Sequence, residues 1–417
     1  STAWGPMHWA HATSHDLVSW DHQPIALMPD ALGTIFSGGA VYDATNTSGM
    51  ATPGEKPPLV LMFTHHGAAQ QQSIAWSTDY RHFEKYPGNP VIKNPGQRDF
   101  RDPRPFWNPL LNSWSCAVAA GDHIAYYSSP DLLCWEQTGR FGPEGNHLAG
   151  VWECPDLFML PVPGGEACWI QIVSMGRPKE QGGPCTQYFI GSFDGETFRP
   201  YDTGSHPLLV DPGRDFYAAV SFTNAPEPTL MGWGSNWVYA HETPTGVFRG
   251  ALTLPRLVSL QDTPGGPRLA ARPCTALLDM LTLQQTSRTT LPLPHESFAL
   301  RSEGEGPFTI SLANDAHETL RFGLDSQGCW FIDRSQSSLL RFSACYGEPL
   351  YQMVRQPSQH KDSTAMLAVF DVSMLELFAD DGLFACNSLV YPTQPYNRLQ
   401  VSGAVTVSYL ADPADIS

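Results

Sequence analysis

The feature that most constrains the fold is a pattern, Ser-x-Asp-x-x-x-aromatic, that occurs four times in the first half of the chain, with its aspartates at Asp16, Asp79, Asp131 and Asp194. Each copy follows a short run typical of a strand, such as SIAWS or HIAYYS. Ser and Asp side chains hold tight turns, so each copy predicts a strand, a turn and a returning strand that begins with an aromatic residue. Recurring every 52 or 63 residues, this hairpin indicates the four-stranded blade of a β-propeller.

The first copy and a later aromatic stretch set the predicted number of blades. Because the first hairpin occupies residues 8–20, the strands expected before it in its blade are absent from this chain, and the spacing of the other copies predicts that roughly forty residues are missing. A last blade is expected around residues 230–240 and 250–255, where LMGWGSNWVYA and GALTLP have strand character. The sequence therefore predicts five blades, the first of them incomplete.

Toward the C-terminus the pattern changes to segments that alternate apolar and polar residues between turn signals, as in VTVSYLA. Such alternation is typical of a β-sandwich. Only TALLDMLTLQQ, at residues 275–285, has the pattern of a short helix. We therefore predict an all-β chain with a five-bladed propeller over residues 1–275, a linker over 276–290 and a β-sandwich over 291–417.

The balance of charge excludes several classes of partner. The chain carries 24 Lys and Arg against 41 Asp and Glu, a formal net charge of −17. Nucleic acid and anionic membranes need a basic surface, so neither is expected as a partner. No run of about 18 apolar residues occurs, so no membrane span is predicted. A neutral ligand such as a sugar would be indifferent to this charge.

The nine cysteines are scattered without a CxxC pair, and their odd number prevents all of them from pairing with one another. We expect most of them to be reduced residues of the core. His8 and His11 would point to opposite faces of a strand, which is poor metal geometry, and no metal or cofactor site is predicted. The sequon Asn46-Thr47-Ser48 favours secretion, but the abrupt start of the chain indicates a missing N-terminus and leaves the compartment open.

Two motifs place an acid among unusual neighbours, RDFRDPRPFW and VWECPDLF, in a chain with only 16% charged residues. Asp102, in the first motif, is expected to stay ionised because Arg101 and Arg104 are close. Glu153, between an indole and a thiol, is expected to be protonated more easily. Two carboxyl groups with different proton affinities are what glycoside hydrolysis needs. From spacing alone, a purely structural role for both acids in turns or ion pairs is equally open.

Stretches in the same order along nearly the whole chain match the motifs of one family: WGPMHWAHATSHDLVSW (4–20), FSGGAVYDATNTSG (36–49), FRDPRPFW (100–107), WECPDLF (152–158), DFYAAVSF (215–222), GWGSNWVYAHETPTGVFRGALTLPR (232–256) and LELFADDG (375–382). On these stretches the chain resembles glycoside hydrolase family 32, the β-fructofuranosidases, which include invertases, inulinases and levanases. The resemblance implies a five-bladed propeller followed by a β-sandwich. It also implies cleavage of terminal β-D-fructofuranosyl linkages in sucrose or in fructans such as inulin and levan.

The resemblance further implies roles for individual residues. Glu153, in the family's Glu-Cys motif, would be the general acid that protonates the leaving-group oxygen and then the base that activates water. Asp102, in the Arg-Asp-Pro motif, would hold the fructosyl hydroxyls and stabilise the transition state. Indole faces suit the C–H faces of sugars, while hydroxyl and guanidinium groups orient them. The positions that match the family's sugar-binding funnel are Trp4, Phe36, Ser37, Arg101, Tyr217 and Trp233.

One catalytic element of the family has no counterpart in this chain. The family retains configuration and so needs a nucleophilic carboxylate about 5 Å from the acid. In the family that residue is the Asp of a Trp-Met-Asn-Asp-Pro-Asn-Gly motif near the N-terminus, and this sequence contains no such motif. The chain would then be a fragment of a working enzyme, the partner of a separate N-terminal fragment, or a catalytically inactive relative. Purified alone, it is expected to release little or no fructose from sucrose, inulin or levan.

Two further functions stay open from the sequence. A fructosyltransferase would pass the same intermediate to a sugar instead of water, and a non-catalytic fructan-binding protein would be consistent with the missing nucleophile. In each case the expected partner is sucrose, a fructo-oligosaccharide or a fructan. Because side chains alternate along a strand, Glu153 is expected to point into the channel, with Trp152 and Cys154 turned away from it.

Overall fold

The structure is a computed structural model that describes residues 5–143, 150–202, 206–281, 283–286, 288–293, 296–337, 340–359 and 364–409. Within these ranges the chain is mostly strand and turn, and it forms four sheets of four or five strands, a two-stranded sheet and a ten-stranded sheet. No helix in the described ranges is long and apolar enough to cross a membrane. The all-β prediction is confirmed.

A β-propeller makes up the first part of the chain. Strands β1 (Trp9–Thr13) and β2 (Asp21–Leu27) form an antiparallel pair, and four complete blades follow. Blade A contains β3 (Thr34–Tyr42), β4 (Leu59–His66), β5 (Gln70–Ser77) and β6 (Glu84–Lys85). Blade B contains β7 (Phe100–Asn108), β8 (Ser113–Ala120), β9 (Ile124–Ser129) and β10 (Glu136–Phe141).

The other two blades have a fifth, short strand each. Blade C contains β11 (Val151–Leu160), β12 (Cys168–Gly176), β13 (Cys185–Phe193), β14 (Phe198–Pro200) and β15 (Leu208–Leu209). Blade D contains β16 (Tyr217–Ser221), β17 (Thr229–Gly234), β18 (Ala251–Leu252), β19 (Arg256–Thr263) and β20 (Gly266–Pro273). Blade D includes the two stretches expected around residues 230–240 and 250–255.

The repeated Ser-x-Asp pattern forms the turn between the strands of an outer hairpin. In each copy the aspartate Oδ1 accepts hydrogen bonds from the backbone amides two and three residues further on, as at Asp16 (2.8 and 2.7 Å) and Asp131 (2.9 and 2.8 Å). The residue after the aspartate has a left-handed backbone, with φ of 65° at Leu17 and 64° at Leu132. These turns join β1 to β2, β5 to β6, β9 to β10 and β13 to β14. The predicted repeat is confirmed, and the β1–β2 pair corresponds to the last hairpin of blades A and B.

Neighbouring blades bury their apolar faces against one another. Val60, Phe100 and Val118 are fully buried between blades A and B. Trp152 is fully buried between blades B and C, where its ring packs against Phe141 with centroids 5.7 Å apart. Burying a side chain of this kind stabilises the fold by about 1.5–3 kcal/mol, so the faces of the blades hold the propeller together.

The helix after the propeller is shorter than predicted. Helix α1 (Thr275–Met280) ends where Leu281 takes an extended backbone, although the pattern predicted a helix over 275–285. The predicted domain boundaries stay a prediction, and part of α1 and strand β21 lie within the residues predicted as a linker. The remaining strands and helix are β21 (Gln284–Thr286), β22 (Thr290–Pro292), β23 (Ser297–Ala313), β24 (Thr319–Leu324), β25 (Cys329–Gln336), α2 (Pro349–Gln352), β26 (Met353–Pro357), β27 (Met366–Asp371), β28 (Met374–Ala379), β29 (Phe384–Leu389) and β30 (Arg398–Tyr409).

The second part of the chain is one continuous sheet that closes over its own core. Strand β23 is 17 residues long, and its first half pairs with β27 while its second half pairs with β24. Strand β30 runs along both halves, and its register shifts between Gly304 and Phe308, where β23 passes from one layer to the other. The predicted sandwich is therefore a nearly closed, sandwich-like sheet, with Ile310, Trp330 and Leu377 fully buried inside it.

The propeller and the ten-stranded sheet meet in buried ion pairs. Arg256 of β19 donates to Asp211 Oδ2 at 2.8 Å and to Glu376 Oε2 of β28 at 2.7 Å. Arg334 of β25 reaches Asp215 Oδ2 at 2.5 Å. All five side chains are at most 2% exposed. Buried charges are tolerated only when they are paired, so these contacts fix how the two parts sit against each other. We refer to Arg256, Asp211 and Glu376 as the interface cluster.

Candidate active site

The candidate site lies where the innermost strands of the four blades, β3, β7, β11 and β16, pack side by side. A β-bulge interrupts each of these strands near its beginning. The pairing register shifts between Phe36 and Gly38, Arg101 and Arg104, Glu153 and Asp156, and Tyr217 and Val220. Three bulges contain a left-handed residue, namely Asp102 (φ 60°), Cys154 (φ 48°) and Ala218 (φ 54°). Because a bulge re-aims side chains, residues that would alternate along a regular strand converge here.

Asp102 is held from both neighbouring blades. Its Oδ2 accepts a hydrogen bond from the backbone amide of Cys154 at 2.9 Å. Its own amide donates to Thr64 Oγ1 of blade A at 3.0 Å. The residue is 6% exposed, and its second carboxylate oxygen, Oδ1, has no hydrogen-bond partner within the described part of the chain. One oxygen is thus anchored and the other is available to a ligand.

Glu153 is held at both oxygens and is less buried. Its Oε1 accepts hydrogen bonds from Arg101 Nη2 at 3.0 Å and from Arg101 Nε at 3.2 Å. Its Oε2 accepts a hydrogen bond from the hydroxyl of Tyr217. The Glu153 side chain is 24% exposed, which leaves it open to the channel. A carboxyl group in this position can exchange a proton with a bound molecule.

Arg101 is fixed in place before any ligand arrives. Its Nη1 donates to Asp99 Oδ1 at 2.7 Å and to Gln70 Oε1 at 3.1 Å. The same Gln70 oxygen also accepts the backbone amide of Phe100 at 2.9 Å. Arg101 therefore joins blade A to blade C through blade B, and it presents a rigid fork to Glu153.

The environment of Asp102 differs from the one predicted. Burial, and after it the charge of Glu153, raises the pKa of Asp102 to about 6, outweighing the Cys154 amide and the charge of Arg101. Arg101 favours the anion as expected, but it does not outweigh burial and Glu153, so the pKa of Asp102 is raised rather than lowered, although the carboxyl group is still mostly ionised at pH 7. Arg104 bends away because its Nε donates to Asp156 Oδ1 at 2.8 Å. Spacing alone could not reveal that the bulge separates the two arginines.

The site thus contains two carboxyl groups from adjacent blades in different surroundings. One is buried with a free oxygen, and the other is partly exposed and held by a phenol and a guanidinium. Such a pair can divide the tasks of proton transfer and charge stabilisation between them. No group of three or more metal-ligating side chains occurs among the described residues.

Comparison with known proteins identifies the family. Residues 1–273 match the Glycosyl hydrolases family 32 N-terminal domain, and residues 279–410 match the Glycosyl hydrolases family 32 C terminal. The chain belongs to glycoside hydrolase family 32.

Relatives of this family 32 chain resemble it over most of its length. A levanase of Bacillus subtilis (strain 168) is 38% identical over 430 residues, which cover 96% of this chain and 62% of the levanase. An invertase of Schizosaccharomyces pombe is 39% identical over 280 residues, which cover 63% of this chain and 47% of the invertase. The crystal structure of an exo-inulinase from Aspergillus awamori superposes with a TM-score of 0.86 at 28% identity and covers 97% of this chain and 90% of the exo-inulinase. The chain spans less than two thirds of the levanase and about half of the invertase.

The strand that carries the family's Glu-Cys motif follows the expected alternation only in part. Trp152 turns away from the channel and is fully buried, as predicted. Cys154 does not turn away, because its left-handed backbone breaks the alternation and brings its Sγ to 3.6 Å from Asp102 Oδ2. Burial, and then the charge of Asp102, raises the pKa of this thiol, so it stays protonated beside the acid.

The other predicted site residues lie at the rim or on the neighbouring strand. Phe36 stacks on His66 with ring centroids 4.2 Å apart, and Ser37 is exposed within the bulge of β3. Trp233 pairs with Tyr217 across β16 and β17, and its ring packs on Trp237 at 4.6 Å. Trp4 lies outside the described residues. Arg101 and Tyr217 contact Glu153 directly, whereas Phe36, Ser37 and Trp233 border the site.

Sequence reasoning missed several residues that position the site. Thr64 and Gln70 come from the hairpin of β4 and β5 in blade A, and Asp99 from the approach to β7. The signal available was the polar Thr64 directly after the apolar run LVLMF of β4, and the polar Gln72 in β5. Both are fully buried, and Thr64 Oγ1 donates to Gln72 Oε1 at 2.8 Å. Buried polar side chains need partners, so their presence in a strand indicates a network.

Proposed function

We propose that this protein hydrolyses terminal β-D-fructofuranosyl linkages of sucrose or of fructans such as levan and inulin. The observation that carries the proposal is the pairing of Asp102 and Glu153 at adjacent bulges, linked through Cys154 and Arg101. Membership of family 32 and the names of the relatives, a levanase, an invertase and an exo-inulinase, support this choice of substrate.

In this proposal Glu153 transfers the protons. As an acid it donates its proton to the glycosidic oxygen while the bond to the leaving group breaks, and as a base it then removes a proton from water. Tyr217 and Arg101 hold the carboxyl group in one orientation, so little motion is needed at the moment of transfer. Its partial exposure gives the leaving group access.

Asp102 would bind the fructosyl ring. Its anchored Oδ2 fixes the carboxylate, and its open Oδ1 can accept hydrogen bonds from ring hydroxyls that strengthen as positive charge develops. Arg101, Phe36, Ser37, Tyr217 and Trp233 would form the rest of the sugar site, together with Trp4. The indole of Trp233 offers an apolar face to the sugar.

Retention of configuration requires a third carboxylate as nucleophile, about 5 Å from the acid. We propose that it lies on the inner strands of a fifth blade whose last hairpin is β1–β2, and the Ser14–Asp16 turn of this pair, which matches the last hairpin of blades A and B, supports this proposal. Such strands would close the propeller between blades A and D. The nucleophile would come from residues outside these 417, either in one longer polypeptide or as a separate fragment.

The experiment compares this chain with the product of the reading frame extended upstream of Ser1, called here the extended protein. An Asn-Asp-Pro motif is expected in the extension. The extended protein should release fructose from levan, inulin or sucrose, with the β-anomer appearing first by NMR, whereas chain 1–417 alone should release little or none. Rapid turnover by chain 1–417 would assign the nucleophile to another carboxylate. No turnover by the extended protein would favour a binding protein.

A further inference from the structure

Two arginines on the face of the propeller that carries the carboxyl groups converge on the same glycine, Gly182. Arg177 follows β12, and Arg214 precedes β16. Arg214 Nη1 and Arg177 Nη2 both lie within 3.0 Å of the point that a Cβ on Gly182 would occupy. Gly182 has a left-handed backbone (φ 95°) and no side chain, so both guanidinium groups can pack against its backbone and lie close to each other. We refer to Arg177 and Arg214 as the arginine pair.

Among the residues that the structure describes, neither guanidinium has a counter-charge. Arg177 Nε donates to the carbonyl of Gly183 at 2.5 Å, and Arg214 Nε donates to the carbonyl of Leu350 at 3.3 Å. Within the described ranges no carboxylate lies at salt-bridge distance from either group. The arrangement is unusual in a chain with a net charge of −17, where acids outnumber bases.

Three arginines that are more deeply buried than this half-buried pair are matched with carboxylates. Arg104, Arg256 and Arg334 reach carboxylates at 2.8, 2.7 and 2.5 Å respectively. In contrast, burial, and then the charge of Arg177, lowers the pKa of Arg214. Two like charges that lie this close together in a partly buried position repel each other unless an anion offsets them.

The arginine pair lies at the same end of the propeller as the carboxyl groups. Gly176, directly before Arg177, pairs with Val151, two residues before Glu153. Arg214 lies three residues before Tyr217, whose hydroxyl donates to Glu153. The loop that carries Arg177 is held by helix α2, because Tyr351 Oη donates to the carbonyl of Lys179 at 2.7 Å. Arg177 therefore lies on a fixed part of the rim.

We propose that Arg177 and Arg214 bind a phosphate group, either free phosphate or a phosphate ester of a sugar. Guanidinium groups form forked, charge-assisted hydrogen bonds with tetrahedral oxyanions, and two of them side by side can contact three or more oxygens. Lys179, exposed and two residues after Arg177, adds a third positive charge to the same loop. The site is separate from Asp102 and Glu153 and does not depend on the reaction proposed for them.

Calorimetry of chain 1–417 with inorganic phosphate, at ionic strength matched with chloride, tests the proposal. The wild-type chain should bind one phosphate with a millimolar or tighter Kd. Arg177→Met and Arg214→Met should each weaken binding at least about tenfold, and each should leave the thermal midpoint without phosphate equal or higher because a repulsive charge is removed. Arg199→Met is the matched control, because Arg199 is exposed and already paired with Asp194. It should leave phosphate binding unchanged.

A second arm distinguishes the two sources of the phosphate. Binding of fructose 6-phosphate more than tenfold tighter than that of inorganic phosphate, with fructose alone at the level of the active site, would assign the site to a sugar ester. Equal binding of the ester and of inorganic phosphate would assign it to the free anion. Absence of phosphate and ester binding, or equal binding by Arg199→Met, Arg177→Met and Arg214→Met, would overturn the proposal. Because binding is measured directly, loss of fructosidase activity has no bearing on the result.

Discussion

The candidate site and the interface cluster are built from the same materials, yet they differ in how completely their charges are satisfied. In the interface cluster Arg256 uses Nε, Nη1 and Nη2 on two carboxylates, and Asp211 accepts hydrogen bonds at both oxygens. In the site Arg101 contacts only one of the two catalytic candidates, and Asp102 keeps one oxygen open. All the charged groups of the interface cluster have partners without a ligand, whereas one oxygen of Asp102 in the candidate site does not.

Burial acts on both clusters but with different consequences. It raises the pKa of Asp211 to about 6 against the opposing charge of Arg256, and it raises the pKa of Asp102 to about 6 with Glu153 adding to it. Asp211 is compensated by an arginine that it holds in place. Asp102 faces another acid, so ionising it costs free energy that only a bound sugar would offset. The candidate site therefore differs from the interface cluster less in its burial than in having a buried carboxyl group whose charge is not fully matched by partners.

The largest effect is expected from a substitution in the candidate site. Glu153→Gln in the extended protein should lower the rate of fructose release by about 10³- to 10⁴-fold, because the amide can neither donate nor accept the proton in flight. Folding should survive, since Arg101 can still donate to the amide oxygen while the amide NH2 group donates to the Tyr217 hydroxyl oxygen. Initial rates on levan and sucrose measure the effect. Glu136→Gln, at an exposed position of β10, is the matched control and should stay within twofold of wild type; near-normal activity of Glu153→Gln would rule out the role assigned to Glu153.

The next largest effect is expected from a substitution in the interface cluster. Arg256→Met should reduce the free energy of unfolding by about 3–5 kcal/mol, because it leaves Asp211 and Glu376 buried without a counter-charge. Equilibrium unfolding of chain 1–417 in urea measures the change. Arg355→Met serves as its control, since Arg355 is 39% exposed in a surface pair with Asp325 and should leave the urea midpoint unchanged. Equal losses in both variants would mean that burial of the pair does not matter.

The smallest effect is expected in the pH dependence of the free energy of unfolding. The folded-state pKa of Asp102, about 6, lies above its ordinary value of 3.8. The folded chain therefore binds this proton more tightly than the unfolded chain, and the resulting stability is full below about pH 4 and is lost as the pH rises to about 6. The asparagine in Asp102→Asn cannot ionise. The free energy of unfolding of this variant should therefore be about 1–3 kcal/mol higher than that of wild type at pH 7 and almost equal to it at pH 4.

The matched substitution in the interface cluster should change the free energy of unfolding in the opposite direction. Asp211→Asn replaces an acid of equally raised pKa but deprives Arg256 of a partner, so chain 1–417 should lose stability at pH 7. Urea unfolding of both variants between pH 4 and pH 8 measures the difference. If the two variants shift stability in the same direction at pH 7, the distinction between satisfied and unsatisfied clusters fails.

Much of the fold could be predicted because local rules repeat along the chain. The Ser-x-Asp turns depend on contacts within three residues, as at Asp131, so they can be identified without knowledge of the rest of the molecule. The end of α1 at Met280 and the continuous sheet around β23 could not be predicted, because both depend on strands paired far along the chain. The site was predicted as residue types, but its geometry was not.

The sequence by itself determined the repeating hairpins, the alternation of the second part, and the two acids that match family 32. Only the tertiary structure decided that Arg104 pairs with Asp156 while Arg101 pairs with Glu153, and that Cys154 turns toward Asp102. The physical reason is that a β-bulge changes the direction of side chains by backbone torsion, and which torsion each bulge takes depends on the neighbouring blades. Charge satisfaction, which sets the pKa of Asp102, is likewise a property of contacts between blades that no single segment contains.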